Sequence, residues 1–503
     1  MRRLLKWSLV LGSTAAVTAL SLMPVSPALA QPTFVVNTTA DPAGGSCAGG
    51  TGSLRQCLAA AAAVPGSIVN FGVDGVFALT QGQLYIDSQL RLQGDGPTRT
   101  IIDGDQESRV FFLDTGAKAT IAGVTVRNGL LTTGPGGSGG GGAGILDLGT
   151  LTLTNTMVSG NTITGTEGDG AGIEMSTGNL TITGSTISGN SDVATAVGNG
   201  GGIFTIQGTV ALTNDTISLN SISLPSGDIH GQGGGLEFAN TTVTATNVTI
   251  SENIAPQGSG VYNAGTVQFS QSIIAGNFGK ACFAMPEVDG NYNLDDDRSC
   301  FYGPTDIHAN PLLGPLADNG GPTLTQALPL GSPAVDAVAT GCPPPATDQR
   351  GITRPQGTAC DIGAFELVQG TPPPTTTTTT TIPATTTTTS IPATTTTTSS
   401  TVPSTTTTTE SATTTTTVPA TITCVVTGLI AGPPKQQQVT VTASAGLASI
   451  TQIQITNGTV SVAPFTPGTT GPVVITATKT DQSATTSWDF VATDILGNSQ
   501  YCA

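Results

Sequence analysis

LTLTNTMVSGN (Leu151–Asn161) and LTITGSTISGN (Leu180–Asn190) are one eleven-residue phrase written twice. Three more copies follow: VALTNDTISLN (Val210–Asn220), VTATNVTISEN (Val243–Asn253) and VQFSQSIIAGN (Val267–Asn277). Stacked, they form columns. The first position is Leu or Val throughout, the eighth is Val158, Ile187, Ile217, Ile250 and Ile274, and the eleventh is always Asn. Apolar residues at positions one and three, with Thr mostly between them, have the period of a strand. Each copy is preceded by a Gly-aliphatic pair: Gly144-Ile145, Gly172-Ile173, Gly202-Ile203, Gly235-Leu236 and Gly260-Val261. A recurrence of about 25–33 residues means one supersecondary unit per repeat, with neighbours completing its core. The short β-runs and Gly-rich corners show no helical period. The expected fold is all-β, a right-handed parallel β-helix in which like columns lie above one another. In that geometry the Asn amides can bond from coil to coil as a ladder. The Gly before each aliphatic residue would supply a positive φ or a close backbone approach.

The alternation of GAGI, GGGI and GGGL with ISGN and ISEN resembles the repeats of secreted β-helix proteins, including polymorphic outer-membrane-protein repeats. Their motifs are GGAI and FxxN. Val158, Ile187, Ile217, Ile250 and Ile274 replace the Phe here, so the resemblance implies the fold more than that family.

Outward from the repeats, Met1 to Ala30 reads as a secretory signal. Arg2, Arg3 and Lys6 precede an apolar stretch, and Ala28-Leu29-Ala30 is a small-residue cleavage site. The apolar run is broken by Ser13, Thr14, Thr18 and Ser21, which favours cleavage over a retained anchor, and no later stretch is apolar enough to span a bilayer. The chain of 503 residues has 15 Lys plus Arg against 32 Asp plus Glu, a net charge of −17. Losing the three basic signal residues takes it to −20. Nucleic acid is excluded as a natural partner on that charge. Low charge content with abundant Gly and Thr suits a secreted or cell-surface β protein.

The eight Cys fall into neighbouring pairs: Cys47 with Cys57, Cys282 with Cys300, Cys342 with Cys360, and Cys424 with Cys502. In an exported chain this reads as disulfides. The alternative, zinc, lacks any CxxC and has only His230 and His308 to draw on.

Residues 31–100 read as an N-terminal cap and first coils. Ser53 can N-cap a short helix through Leu54, Leu58 and the Ala59–Ala63 run, covering the open end of the solenoid. TFVVNTTAD followed by SLRQ resembles the CSLREA-type N-terminal region of secreted β-helix proteins, with Gly52 in place of the motif's Cys, Gln56 in place of its Glu, and Cys57 displaced. Early coils follow, and Thr120 to Asn128 reads as an earlier, shortened repeat. The parallel β-helix is expected over 101–280. In 281–368, the run DQRGITRPQGTACDIGAFE (Asp348–Glu366) with Ser332–Ala337 resembles the choice-of-anchor Q domain. That resemblance implies a C-terminal position in β-helix proteins, ahead of surface-attachment signals, and the segment is read as the C-terminal cap. Arg350 and Arg354 beside Asp348, Asp361 and Glu366 read as ion pairs, with a catalytic cluster as the alternative. Residues 369–420 are a Thr/Pro-rich linker, too poor in apolar surface to fold, extended, and rich in O-glycosylation acceptors. Residues 421–503 carry short strand signals at Val439–Val441, Ile453–Ile455, Val460–Val462 and Val473–Ile475, with Trp488 and Phe490 before the last strand, the pattern of a small immunoglobulin-like sandwich.

Triad, P-loop and HExxH signatures are missing from the sequence, and it calls for no cofactor. If the Ile145 column points inward, the next column points outward: Leu146, Glu174, Phe204, Glu237, Tyr262. Glu174 and Glu237, two coils apart, would stand roughly 9–10 Å apart, near the spacing of an inverting glycosidase pair. Phe204 and Tyr262 would stack on sugar rings. The competing reading is a solvated column with a few exposed aromatics. Asp289, Asn291, Asn293, Asp295 and Asp297 alternate like calcium ligands, but Leu294 and Cys300 stand where an EF-hand needs Gly and Glu, so the segment reads as an acidic surface loop and no metal is expected. No Lys or Arg lies between Leu130 and Gly279, which disfavours a lyase site on the central coils. The expected function is a non-catalytic extracellular or cell-surface protein for adhesion or glycan binding, its partner a polysaccharide or surface glycan. The alternative is a polysaccharide-degrading enzyme, a glycoside hydrolase before a lyase. The repeats select no oligomeric state.

Overall fold

In a computed structural model the described residues are 31–134, 140–223, 231–284, 290–368 and, of 422–502, all but 431–435, 445, 457, 467, 480–486 and 495–498. The signal segment 1–30 and the linker 369–420 lie outside them.

The central chain is a right-handed parallel β-helix. Each coil contributes a short strand such as Ile173–Met175, a second such as Asn179–Thr183, and a third such as Thr186–Ser188. Like strands pair in parallel along the stack, in the register the sequence columns implied. Leu151 pairs with Leu180, Leu180 with Val210, and Val210 with Val243. Val158, Ile187, Ile217, Ile250 and Ile274 form one unbroken row. The inward columns are almost completely buried and make one continuous core from Val36 to Phe301.

The Asn residues form the ladder. The Nδ2 of Asn161 donates to Oδ1 of Asn190 at 2.8 Å, Asn190 to Asn220 at 2.9 Å, Asn220 to Asn253 at 3.0 Å, and Asn253 to Asn277 at 3.0 Å. Each amide oxygen also accepts the backbone N–H of the Asn one coil earlier. Each Nδ2 from Asn190 onward also donates to a carbonyl of the previous coil, such as Val158. The recurring glycines stand against these amides. A Cβ on Gly172 would lie 2.5 Å from the Gly202 carbonyl and 2.9 Å from Asn190 Nδ2. Close approach, and not a positive φ, is what this Gly supplies.

Asn128 does not belong to the ladder. Arg127 pairs with Ser159, so Asn128 aligns with Gly160 and Gly129 takes the ladder position. The early repeat therefore runs from Ala119 at full length. Gly129 N–H still donates to Asn161 Oδ1 at 2.8 Å and starts the ladder from the backbone.

The helix forms as the sequence implied, over Leu54–Ala62. Ser53 Oγ accepts from Gln56 N–H, and Gln56 Oε1 accepts from Ser53 N–H at 3.0 Å. The capping box works with Gln as it does with Glu. Leu54, Cys57, Leu58 and Ala61 are buried in the common core, and Cys47–Cys57 ties the helix to the preceding segment. Cys282–Cys300 and Cys342–Cys360 are also joined. Cys424 is disulfide-bonded, and the side chain of Cys502 lies outside the described residues.

Residues 281–368 do not act simply as an end cap. Cys282–Phe283, Leu294–Asp295 and Ile307–His308 continue the coils. Beyond them the chain turns back and lies along the side of the solenoid. Gln349 bonds Ser185 and Thr216, Thr186 donates to Leu324 O, and Asn247 donates to Gly363 O. The reason is chemical. The outward side chains of the third strands are mostly Thr and Ser, a polar face that a hydrogen-bonding segment can cover. Two of the expected ion pairs are present, while the Asp361 carboxylate accepts backbone N–H groups of Asp336 and Leu367 instead. Arg354 meets Glu366 at 2.8 Å with both side chains fully buried, and Arg350 meets Asp348 at 2.7 Å and lies 3.5 Å over the Phe365 ring.

Residues 422–502 form two antiparallel sheets. One has strands Ile422–Ile430, Gln436–Ala443, Val473–Lys479 and Gly458–Val462; the other has Leu447–Thr456, Ser487–Asp494 and Ser499–Cys502. Val439, Val441, Ile475, Leu447 and Ala492 fill the space between them, as a sandwich requires.

Asn190→Leu tests the ladder. It strands the amide and N–H of Asn161 and the carbonyl of Val158 in the interior. The expected loss is about 1–3 kcal/mol, read as a lower midpoint in urea. An unchanged midpoint would refute the ladder's structural role.

Candidate functional site

The column beside the inward aliphatic residues is longer than the repeats alone suggested. Register pairs place Tyr85, Phe112, Leu146, Glu174, Phe204, Glu237, Tyr262 and Phe283 one above another. Tyr85, Phe112 and Phe283 escaped the sequence reading because their coils lack the Gly-aliphatic signature. The middle residue of Leu84-Tyr85-Ile86, flanked by two inward apolar residues, carried the only local signal.

The column is not the solvated stripe that alternation implied. Leu146, Glu174, Phe204 and Glu237 are 5, 3, 7 and 5 % exposed. A glycine bend precedes each of these strands. Gly200, at φ 57°, folds the chain back until its Cβ position lies 2.8 Å from the Cα of Phe204. Only glycine takes that conformation freely and leaves room there. Phe204 therefore offers no open face to a sugar. The column opens at its ends. Tyr262 is half-buried, and its ring stacks on Phe283, centroids 5.3 Å apart and planes 9° from parallel. Phe283 is 38 % exposed, and Lys280 Nζ lies 5.4 Å from its centroid. At the other end Tyr85, 63 % exposed, packs on Phe112 at 5.4 Å.

Glu174 and Glu237 do share one face, with Phe204 between them in register. One Glu174 oxygen accepts from Gly141 N–H and the other from Ser176 Oγ at 2.6 Å. Arg109, missed from the sequence, packs beside this carboxyl and donates to the carbonyls of Gly141 and Gly142 at 2.9 and 3.1 Å. Asp169 is a further residue not foreseen. It accepts from Asn199 Nδ2 at 2.7 Å, and its charge acts on both glutamates. Burial is the main cause that raises all three carboxyls above the usual range, and Glu237 is pushed up to about 9. At neutral pH Glu237 therefore keeps its proton.

The acidic loop builds no open cation cage among the described residues. Asp289 lies outside them. Asn293 Oδ1 accepts from Ser272 N–H, and Asp295 binds Cys300 N–H and His308. Asp297 accepts from Ser299 and Ala281 N–H. Asp295, Asp297 and the Cys300 sulfur come within 4.8 Å of one another, but that sulfur is in a disulfide. These oxygens close the last coils.

Two buried aspartates share the fate of Glu237. Burial pushes Asp147 up to about 7 and Asp215 up to about 8. In the unfolded chain such groups titrate near ~4. They hold protons more tightly when folded, so their contribution is complete below about pH 4 and is lost as pH rises through about 7 to 9. Calorimetry between about pH 5 and pH 9 should show Glu237→Gln gaining melting temperature relative to wild type as pH rises. A difference that is flat or reversed would contradict the buried, protonated state.

Residues 109–293 match the family model described as a right-handed β-helix region. No curated protein and no solved structure matches the chain. No helix among the described residues is long and apolar enough to cross a membrane. The β-helix and the disulfides are compatible with an extracellular protein of the broad surface or polysaccharide-related kind that this fold supports.

Proposed function

We propose that the protein is a non-catalytic, secreted or cell-surface β-helix that binds glycans. Residues 1–30 would direct export. The 281–368 segment, choice-of-anchor Q-like in its motifs, would brace the rod, and 369–420 would act as a stalk to the terminal sandwich in adhesion. The observation that carries the reading is the stacked Tyr262–Phe283 pair with Lys280 at its edge. Parallel rings displayed on a rigid frame suit stacking against sugar faces, because ordering them costs little on binding.

Hydrolysis is the second reading. Glu237 at about 9, Glu174 across Phe204, and a spacing of roughly two coils favour it. Against it, both carboxyls are covered, and a hydrolase pair must reach substrate. Binding of the full chain to a glycan array and reducing-sugar release from the same polysaccharides separate the two. Tyr262→Ala and Phe283→Ala should each weaken binding by about tenfold or more, since stacking contributes on the order of 1–3 kcal/mol. Glu174→Gln and Glu237→Gln should alter it little. Sugar release that disappears in both Glu variants would overturn the non-catalytic reading.

A further inference from the structure

The column that carries the Tyr262–Phe283 pair has two ends. Leu84–Ile86 is the last strand of its row on one side and Cys282–Phe283 on the other, so no strand pairs beyond Tyr85 or Phe283 in that sheet. The two ends are built alike. Each outer ring, Tyr85 or Phe283, is exposed, and each inner ring, Phe112 or Tyr262, is half-buried. Ring centroids stand 5.4 Å apart in one pair and 5.3 Å in the other. A cation lies against each pair: the Arg109 guanidinium is 5.9 Å from the Phe112 centroid, and Lys280 Nζ is 5.4 Å from that of Phe283. Arg109 is pinned in turn, donating to Gln83 Oε1 and to the carbonyls of Gly141 and Gly142, so Phe112 rests on a fixed support. The Tyr85 and Phe112 planes are 49° apart, against 9° in the other pair, and Tyr85 alone offers the stacking face there.

This constellation is not repeated elsewhere among the described residues. The other ring pairs, Phe71–Phe77 and Phe269–Phe301, lie in the core, and the other cation–ring contact, Arg350 on Phe365, involves a buried ring. Ring pairs that reach the surface occur only in this column.

We propose that Tyr85, backed by Phe112, is a second glycan-stacking site, and that the chain holds one polysaccharide at both ends of the column at once. The inference rests on the glycan reading of the Tyr262–Phe283 pair. Seven strand-to-strand steps separate Tyr85 from Phe283. At about 4.8 Å each they place the outer rings roughly 34 Å apart. Both ends stand on one continuous core, which fixes that spacing. Leu146, Glu174, Phe204 and Glu237 between them are covered and add no stacking surface. A short oligosaccharide fills one end or the other, and only a polymer reaches both. Once one end is held, the second is met at high effective concentration, so a long chain gains affinity without a new contact.

Native mass spectrometry and calorimetric titration of the full chain test it. The probes are cellotriose, chitotriose, xylotriose and mannotriose, with soluble polymers of the same units. The trisaccharide that binds should load two per chain, and its polymer should bind at least about tenfold tighter. Tyr85→Ala alters an exposed side chain, so its melting temperature should match wild type. It should reduce the load to one and remove the advantage of the polymer. Tyr85→Phe keeps the ring and should keep both. Phe283→Ala should behave as Tyr85→Ala, and the double variant should bind neither probe. One trisaccharide per wild-type chain, or unchanged polymer affinity in Tyr85→Ala, would overturn the second site and leave the first standing. Silence from every probe would overturn the glycan reading and this inference together.

Discussion

Everything in the solenoid depends on the meeting of a buried amide with a glycine. Asn190, Asn220 and Asn253 accept on the amide oxygen from the coil before and donate from the nitrogen to the coils on both sides, and each ladder Asn sits where the facing residue can have no Cβ. The two signatures in the sequence, Gly-aliphatic and terminal Asn, are therefore two sides of one contact. Neither is useful without the other. An amide without the glycine does not fit, and a glycine without the amide leaves backbone groups unpaired in the interior. The ladder also explains how coils of different length stay in register. Successive Asn residues are separated by 29, 30, 33 and 24 positions, yet the bonds between them hold between 2.8 and 3.0 Å. The extra residues leave the coil at one place, after the Asn, where Thr162–Asp169 and Ser191–Asn199 pair in a sheet of their own.

The fold was legible because that contact repeats locally. Period-two apolar residues, the Asn column and the capping box at Ser53 each belong to a short window of sequence. The reading failed where coverage comes from elsewhere in the chain. Alternation placed Phe204 on an outer face, which is correct for the strand, but it says nothing of the chain that covers that face. The same limit applies to 310–366. Its ion pairs were visible in the run from Asp348 to Glu366, while its course along the solenoid depends on Thr and Ser hydroxyls more than a hundred residues away. Asn128 shows a third kind of miss. An Asn near the expected place is indistinguishable from a ladder Asn until register is known, and register put it at a left-handed bend.

Burial without a counter-charge separates two ways of handling acids in this chain. In the lateral segment, Glu366 is fully buried but receives Arg354 and two backbone N–H groups. Breaking such a pair would leave a charge with no compensation. In the coils Asp147, Asp215 and Glu237 have no cationic partner among the described residues, and they hold protons instead. The stretch without Lys or Arg between Leu130 and Gly279 supplies no such cation from within those coils, and Arg109 reaches Glu174 from just outside it.

The same economy decides where the surface can act. The column from Tyr85 to Phe283 is closed in the coils that carry third-sheet strands, at Leu146, Glu174, Phe204 and Glu237, and open in the end coils that carry none, at Tyr85 and Phe283. The short step of 24 residues from Asn253 to Asn277 leaves little chain to fold over the face beside it. Length variation that the ladder tolerates thus becomes a means of exposing or hiding one column. A coil that gains residues after its Asn acquires a covered acid or aromatic, and a coil that loses them displays its ring. What such a rod exposes along this column is thus set less by which residue stands there than by how much chain separates successive asparagines.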